Sequence, residues 1–600
     1  MGRGLLNQNG PEAKNHSPAH WWSNVTPTTS PRRDPSPSNA RYAWATVILI
    51  VAGSLVCAAS LWRLIDVLRT GLGSPTTFDD AYAFCRYADH LLRGHGLAWN
   101  PDGPQTFGCT SLLYVLVIAL LKTLVHLSNP SALAVGSWLP ALAAVGLMGW
   151  TCARTATVGV LRHPIVATAF VCTATCLQPG FRYHAGTGMD TSTAILTNAL
   201  LVHVVLTTGS RASWARLLLI AVVSYLSYLA RPDNLLYAAI FPLLAILLRP
   251  SSASRSWQRS LIFAAFFGGL VAADAIVKEL VFGDPLPLAF YAKGAGFYLG
   301  YAAAGQWNPI RYLQSFLIDL TGPLLILLVT VHRRSLRLVL TCLAPCVATF
   351  CCLMTVTQIM GYQARFYYPA LPFLVICAYA ALDLGIEKVS MGQLRLSLRT
   401  VAGRLALAGG VAVVVFPVAG RAASLHERQS QRRQQNLPTR GFYTPNRSAP
   451  RLGWWKGIQA MACFVQSCPP QVVWAMSEHG FISATAPEVT IIDLVGLHDR
   501  HALSGELSVD HVFDRRPDVI WFPHTHYTGL VNALLTSDRL ERDYDFWPGA
   551  FDYGLAVRRQ SSFQEAIRAA LQAAWLEYYR RPCPPPSVPT GDPTPWIRPG

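Results

Sequence analysis

Apolar runs of about 17 to 25 residues, the length that crosses a bilayer, recur in this chain between residues 43 and 420. A backbone passing through lipid has to satisfy its own N–H and C=O groups, so each run is expected to be a helix. Composition agrees: 52% of the 600 residues are hydrophobic and 14% charged, which describes a polytopic α-helical membrane protein rather than a soluble multidomain enzyme. The segments centre on 43–62, 112–126, 131–150, 163–178, 191–208, 214–229, 234–248, 260–281, 316–332, 338–357, 366–384 and 405–420.

A net charge of +17 would suit a nucleic-acid partner. Its placement argues for membrane topology instead, with no nucleic acid involved. Arg249, Arg255 and Arg259, then Arg333, Arg334 and Arg337, then Arg395, Arg399 and Arg404 stand in short stretches between apolar runs, the pattern of cytoplasmic loops. Arg32, Arg33 and Arg41 likewise hold the start of the first helix inside, where it is expected to act as a retained signal anchor. The loops 178–190, 230–234, 282–315 and 358–365 then face outward, as does everything after 420. Termini on opposite sides require an odd number of crossings, and about 11 to 13 transmembrane helices are expected. Four regions follow: a disordered cytoplasmic tail, 1–41; a transmembrane domain, 42–420, with its first outer loop at 66–110; a small extracytoplasmic α/β domain, 421–580; and a Pro-rich tail, 581–600. Strand-like runs at 472–476, 489–494 and 519–522, and a helical period over 563–579, carry the α/β assignment.

The cysteines show no metal-ligand spacing, and most lie singly in apolar runs. Cys85 with Cys109, and Cys463 with Cys468, stand in outer segments where a disulfide is an open alternative.

The most polar segment beside these helices begins Phe78-Asp79-Asp80-Ala81-Tyr82. Adjacent carboxylates at a helix start cannot both point the same way. One can face a reaction cavity while the other caps the helix, or both can be ordinary solvated caps. Ala81, Phe84, Ala88, Leu91 and Leu92 give that helix an apolar side suited to the membrane interface. His95, between Gly94 and Gly96, marks a sharp turn, either a ligand approach or a plain helix end. Topology puts Arg182, His184 and Asp190, and also Arg231, Asp233 and Asn234, on the same side as Asp79, although each alone reads as a helix-end anchor. Lys293 and Arg365 are cations that suit a lipid-linked phosphate, Arg by a bidentate grip and Lys as a point charge, or that snorkel to lipid headgroups. There is no Gly-rich phosphate loop, no His-x-x-x-His pair and no convincing Gly-x-Ser-x-Gly elbow, so nucleotide and serine hydrolysis have no support.

Asp79-Asp80-Ala81-Tyr82, Arg86-Tyr87, Gly94-His95-Gly96-Leu97 and Asn100-Pro101, with Gly108 and Thr110, resemble the first outer loop of the membrane-embedded GT-C glycosyltransferases. The branch they resemble holds the bacterial cell-wall terminal arabinofuranosyltransferases. Gly188-Met189-Asp190, Arg231-Pro232-Asp233, Tyr291-Ala292-Lys293 and Arg365-Phe366 resemble that branch's later motifs in the same order. Ile492-Asp493-Leu494-Val495-Gly496-Leu497 with Asp499 resembles its C-terminal domain. The departures are Pro104-Gln105-Thr106-Phe107 where an acidic residue is expected, Leu112-Leu113-Tyr114 in place of a Pro-aromatic helix entry, Asp190 where Glu is commoner, and Ser477-Glu478-His479-Gly480 in place of a Gly-Asp turn.

The resemblance implies transfer of a sugar, arabinofuranose among the candidates, from a polyprenyl-phosphate donor to an envelope acceptor. The acceptor would be a glycan, glycolipid or protein at the outer face of the plasma membrane. It assigns the base to Asp79 or Asp80 and the donor phosphate to Lys293, Arg365, Arg231 and His95, with Arg86, Tyr82, Asp190 and His184 binding substrate. No firm metal site is expected, although Asp80 and Asp190 could share a divalent ion if their loops meet. A transporter or flippase of lipid-linked sugars would use the same cations without a base, and an inactive scaffold for envelope synthesis would need neither.

Overall fold

Helices form where the apolar runs place them. The computed structural model describes residues 37–208, 213–248, 253–294, 309–331, 335–356, 358, 361–390, 450–499, 509–524 and 527–587. In chain order the helices of the first part are α1 (Pro37–Gly73), α2 (Ala81–Leu92), α3 (Leu112–Val125), α4 (Asn129–Thr155), α5 (Pro164–Ala174), α6 (Pro179–Gly186), α7 (Thr191–Thr207), α8 (Trp214–Ala230), α9 (Leu235–Leu247), α10 (Ala253–Phe282), α11 (Leu288–Gly294), α12 (Pro309–Asp319), α13 (Thr321–Thr330), α14 (Leu336–Met354) and α15 (Leu371–Ser390). α1 exposes Trp44, Ile48, Leu55 and Trp62, and α10 exposes Ile276 and Leu280. Whole helices that turn such side chains outward need lipid around them. Among the described residues five helices are long and apolar enough to cross a membrane, or seven if each bent pair is one span, and four more are apolar but shorter. The run 405–420 lies outside the described residues, as do Arg249, Arg333, Arg334, Arg395, Arg399 and Arg404.

Two apolar helices are joined at sharp bends to helices in segments read as outer loop. α5 and α6 meet at 90°, because Pro179 pushes Gln178 out of the helical region to φ −78° and ψ 132°. α12 and α13 meet at 71° across Leu320.

The C-terminal domain is built on β1 (Val473–Met476), β2 (Thr490–Asp493), β3 (Val519–Trp521), β4 (Tyr544–Trp547) and β5 (Leu555–Arg558). The sheet order is β2-β1-β3-β5-β4. β1 pairs in parallel with both β2 and β3, while β5 is antiparallel to both β3 and β4. The first three strands and helix Gln564–Tyr579 fall where they were expected; β4 and β5 were not anticipated.

α2 was expected to lie in the membrane interface. Instead its apolar side, with Tyr82, Phe84, Tyr87 and Ala88, is buried in the same hydrophobic core as Ile482 and β-sheet residues Trp474 and Trp521. The first outer loop and the last domain therefore share one interior. A second core fills the helical bundle from Leu64 to Tyr379 and Ala381. Neither cysteine pair is bonded: Cys85, Cys109, Cys463 and Cys468 are all free thiols.

Candidate functional site

The turn at Asp79 meets the loop that follows β1. Asp79 is 3% exposed; its Oδ2 accepts the Gly480 N–H at 2.9 Å and its Oδ1 the Phe481 N–H at 2.7 Å. It thus satisfies the first free donors of helix Gly480–Thr485, a cap supplied from another part of the chain. The approach requires glycine, since a Cβ on Gly480 would lie 2.0 Å from the Asp79 carbonyl oxygen. Burial raises the Asp79 pKa above the ordinary carboxylate range, opposed by the Phe481 N–H and by His479.

Asp80 has different surroundings. It stands before α2 without a side-chain capping bond and is partly exposed. Glu478 approaches both carboxylates from the C-terminal domain. It accepts the Trp454 indole N–H at 3.4 Å, and burial, with Asp79 and Asp80 adding to it, pushes its carboxyl up to about 8. Three carboxyl groups from two distant segments thus sit together, and like charges held this way cannot all ionise near neutrality.

Two arginines complete the cluster. Arg231, at the C-terminal end of α8 and 2% exposed, grips Asp233 through Nε and Nη2, both at 2.9 Å, and reaches Asp190 through Nη1 at 3.3 Å. The other Asp190 oxygen accepts the Thr110 hydroxyl at 3.0 Å. Both oxygens of Asp190 are thus engaged, one of them by the Arg231 guanidinium, which makes Asp190 an ion-pair partner within the cluster.

Arg365 follows Gln363 and Ala364, whose φ values of 54° and 57° are left-handed. Residues other than glycine adopt that region only when their surroundings impose it. One contact on this turn is His184, whose Nε2 lies 2.9 Å from the Gln363 carbonyl oxygen. Arg365 is 3% exposed, yet its Nε and Nη1 have no hydrogen-bond partner among the described residues. Its guanidinium carbon lies 5.7 Å from the Phe78 ring and 5.2 Å from the Phe366 ring, and Arg231 shares the Phe366 ring at 5.2 Å. Asp80, Asp190 and Asp233 are within its electrostatic reach. A buried donor left unmade costs about 1 to 3 kcal/mol, more when charged. Two unpaired donors on a buried cation, beside a second arginine, form a position for an anion.

Several expected residues have other roles. Arg86, expected to bind substrate, is wholly buried. Its Nε donates to Trp99 O, its Nη1 to Ser483 O and Ala486 O, and its Nη2 to Asn100 Oδ1 and Val489 O. A guanidinium has five N–H donors, so none remains for a ligand, and Arg86 is a clasp between loop and domain. Tyr82 is core, meeting Phe481 edge to face at 5.0 Å and stacking on Trp455 at 6.5 Å. His95 is exposed beyond the far end of α2, about 18 Å along that helix from Asp80, which removes it from the phosphate side. His184 acts through the Gln363 turn. Lys293 lies on α11, whose Leu288 N–H is tied to the Phe107 carbonyl at 2.8 Å.

Two residues escaped notice. Glu478 was visible as a departure from the expected turn, without any sign that it would reach Asp80. Lys278, 4% exposed, pairs with Asp274 at 2.5 Å and stands 4.7 Å from the Phe107 ring centre. Its signal was an i, i+4 charge pair inside an apolar run, where ionisable groups commonly mark function.

No family model matches the chain, and no curated protein matches it in sequence. Among solved structures it is similar to the crystal structure of ArnT from Cupriavidus metallidurans bound to undecaprenyl phosphate, at 13% identity and a TM-score of 0.50 over 85% of this chain and 98% of that one. The chain shares the ArnT fold. It is also similar to the oligosaccharyltransferase AglB of Archaeoglobus fulgidus in complex with an inhibitory peptide and a dolichol-phosphate, at 12% identity and a TM-score of 0.41 over 86% of this chain and 77% of that one. A helical membrane domain with a small C-terminal sheet, as the motifs implied, is thus matched along nearly the whole length of ArnT.

Proposed function

We propose that the protein is a GT-C type glycosyltransferase that moves a sugar from a polyprenyl-phosphate donor to a hydroxyl of an envelope glycan, glycolipid or protein. It acts on the outer side of the plasma membrane. The observation that carries the reading is the buried Arg365 guanidinium with Nε and Nη1 unpaired beside Arg231. Support comes from the fold shared with ArnT, a protein seen bound to undecaprenyl phosphate.

In this mechanism Asp80 is the base, and Asp79 ties the turn before it to the C-terminal domain. The acceptor oxygen attacks the anomeric carbon as Asp80 takes its proton, and the bond from that carbon to the phosphate oxygen breaks. The electron pair leaves with polyprenyl phosphate, whose charge Arg365 receives in a water-poor site. Glu478 keeps its proton near neutrality, which leaves the negative charge to its neighbours. The motif resemblance alone keeps Lys293 as a candidate for the donor phosphate and makes arabinofuranose the first donor sugar to be tried.

The test is release of polyprenyl phosphate and glycosylated acceptor from a labelled polyprenyl-phosphate sugar by the purified full-length protein. Arg365→Lys keeps a charge but loses the fork, and is expected to weaken productive donor binding about ten-fold or more. Movement of labelled lipid between leaflets without turnover would establish the flippase reading instead.

A further inference from the structure

β1 and β2 run parallel, and their carboxyl ends bring together three side chains beside the sugar-transfer cluster, none of which the proposed transfer uses. His479 follows β1, Asp493 ends β2, and His498 lies on the loop beyond it. All three are buried, at 5%, 2% and 5% exposure. One atom from each, two imidazole nitrogens and a carboxylate oxygen, lie within 4.8 Å of one another. In parallel sheets the carboxyl ends of strands are where ligands collect.

The local bonding leaves these groups short of partners. His479 Nε2 is 3.1 Å from Asp493 Oδ1, but neither ring nitrogen of His479 has an aligned hydrogen-bond partner among the described residues. Asp493 accepts the Val495 N–H through Oδ1 and the His498 N–H through Oδ2, each at 2.8 Å, which holds its orientation while lone pairs remain. His498 is fixed twice. Its ring stacks on Trp99 with centroids 3.8 Å apart and planes 6° from parallel, and its Nδ1 is 3.0 Å from the Tyr87 hydroxyl. Tyr87 also accepts the Gly108 N–H at 3.2 Å and contacts the Thr106 hydroxyl at 3.1 Å. When Tyr87 gives its proton to Thr106 it accepts His498 Nδ1–H, leaving the Nε2 lone pair bare. Ligand histidines are commonly oriented by a bond of this kind on the other ring nitrogen.

We infer that His479, Asp493 and His498 bind one divalent transition-metal ion, zinc in character, between the sheet and the first outer loop. Two imidazoles and one carboxylate are a donor set for zinc and its first-row neighbours, not for magnesium or calcium. Three protein ligands leave a position open. Asp493 and His498 also line a cavity of 410 Å³ with Trp99, Asn100, Gln105 and Arg515. The ion fixes the turn that presents Glu478 and the Gly480 N–H to Asp79, so it organises the site from the domain side. The inference stands on these residues alone and does not depend on the sugar-transfer reading.

Full-length protein in detergent, stripped with a chelator and desalted, is titrated with zinc chloride, and bound metal is counted after gel filtration. One zinc per chain is expected, with a thermal midpoint that falls on chelation and returns with zinc. His498→Ala is expected to lose affinity at least 100-fold. Tyr87→Phe, which keeps the ligands and the ring, should lose about 10-fold. Cobalt should give tetrahedral d–d absorption in the wild type and lose it in Asp493→Asn. The inference is overturned if folded wild type takes up no stoichiometric metal and its midpoint ignores chelator, which leaves only a buried ion pair. It is equally overturned if folded His498→Ala and Asp493→Asn retain zinc unchanged, which marks an adventitious ion.

Discussion

Asp79 and Asp80 are adjacent in sequence and opposite in surroundings, so their conservative variants separate two roles. Asp80→Asn is expected to lower turnover about 10²- to 10⁴-fold, the contribution of a general base, with insertion and thermal midpoint unchanged. Asp79→Asn puts an amide N–H against one of the two backbone donors now satisfied, at a stability cost of about 1 to 3 kcal/mol. Its midpoint should fall, and activity should fall only with the folded fraction; the reverse pattern would exchange the assignments. Glu478 predicts a pH effect. Its carboxyl is raised to about 8 by burial and its acidic neighbours, so the folded chain holds that proton more tightly than the unfolded one. The stabilisation is complete below the ordinary carboxylate range and is lost as pH rises toward 8. Thermal midpoints measured across that range should decline in the wild type and decline less in Glu478→Gln. Sequence reading found the two aspartates because a doubled acid beside an apolar run is conspicuous. It did not divide their labour, because the group that engages Asp79 is a backbone amide 401 positions away.

At the scale of elements, hydrophobic period located the long helices and the parallel strands, since burial on one or all faces writes itself into composition. The failures have specific causes. Gln178 looked like the end of an apolar run until Pro179 turned the chain. β4 and β5 carry Asp545 and Arg558, which dilute the apolar pattern. α2 read as an interfacial helix because an apolar face does not say whether lipid or protein will cover it. Arg86 shows which does: its side chain bonds the carbonyls of Ser483, Ala486 and Val489. Arg86→Met would strand those acceptors, and each buried carbonyl left without a partner is expected to cost about 1 to 3 kcal/mol. Limited proteolysis should then cut the C-terminal domain readily while the helical bundle stays resistant. Unchanged protection would mean that the clasp is dispensable.

On the scale of the whole molecule, the shared core requires the loop 66–110 and the C-terminal domain to lie on one side of the membrane, and the proposed topology, read from the basic loops, makes that side the outer one. A reporter that works only in an oxidising compartment is expected to be active when fused after residue 450, and a cytoplasm-only reporter silent. The opposite result would overturn the outward assignment of the entire cluster. Isolated 421–600 is expected to show no turnover, since Asp80, Arg231 and Arg365 belong to the other part. The Arg86 clasp has a further consequence for biogenesis. Its guanidinium must wait for carbonyls that leave the ribosome 397 to 403 positions later, about 20 to 80 s at ordinary elongation rates. Through that interval a nascent loop destined for a protein interior lacks the carbonyls that Arg86 needs, so a chain truncated before its last domain should expose that loop as a ready degradation signal.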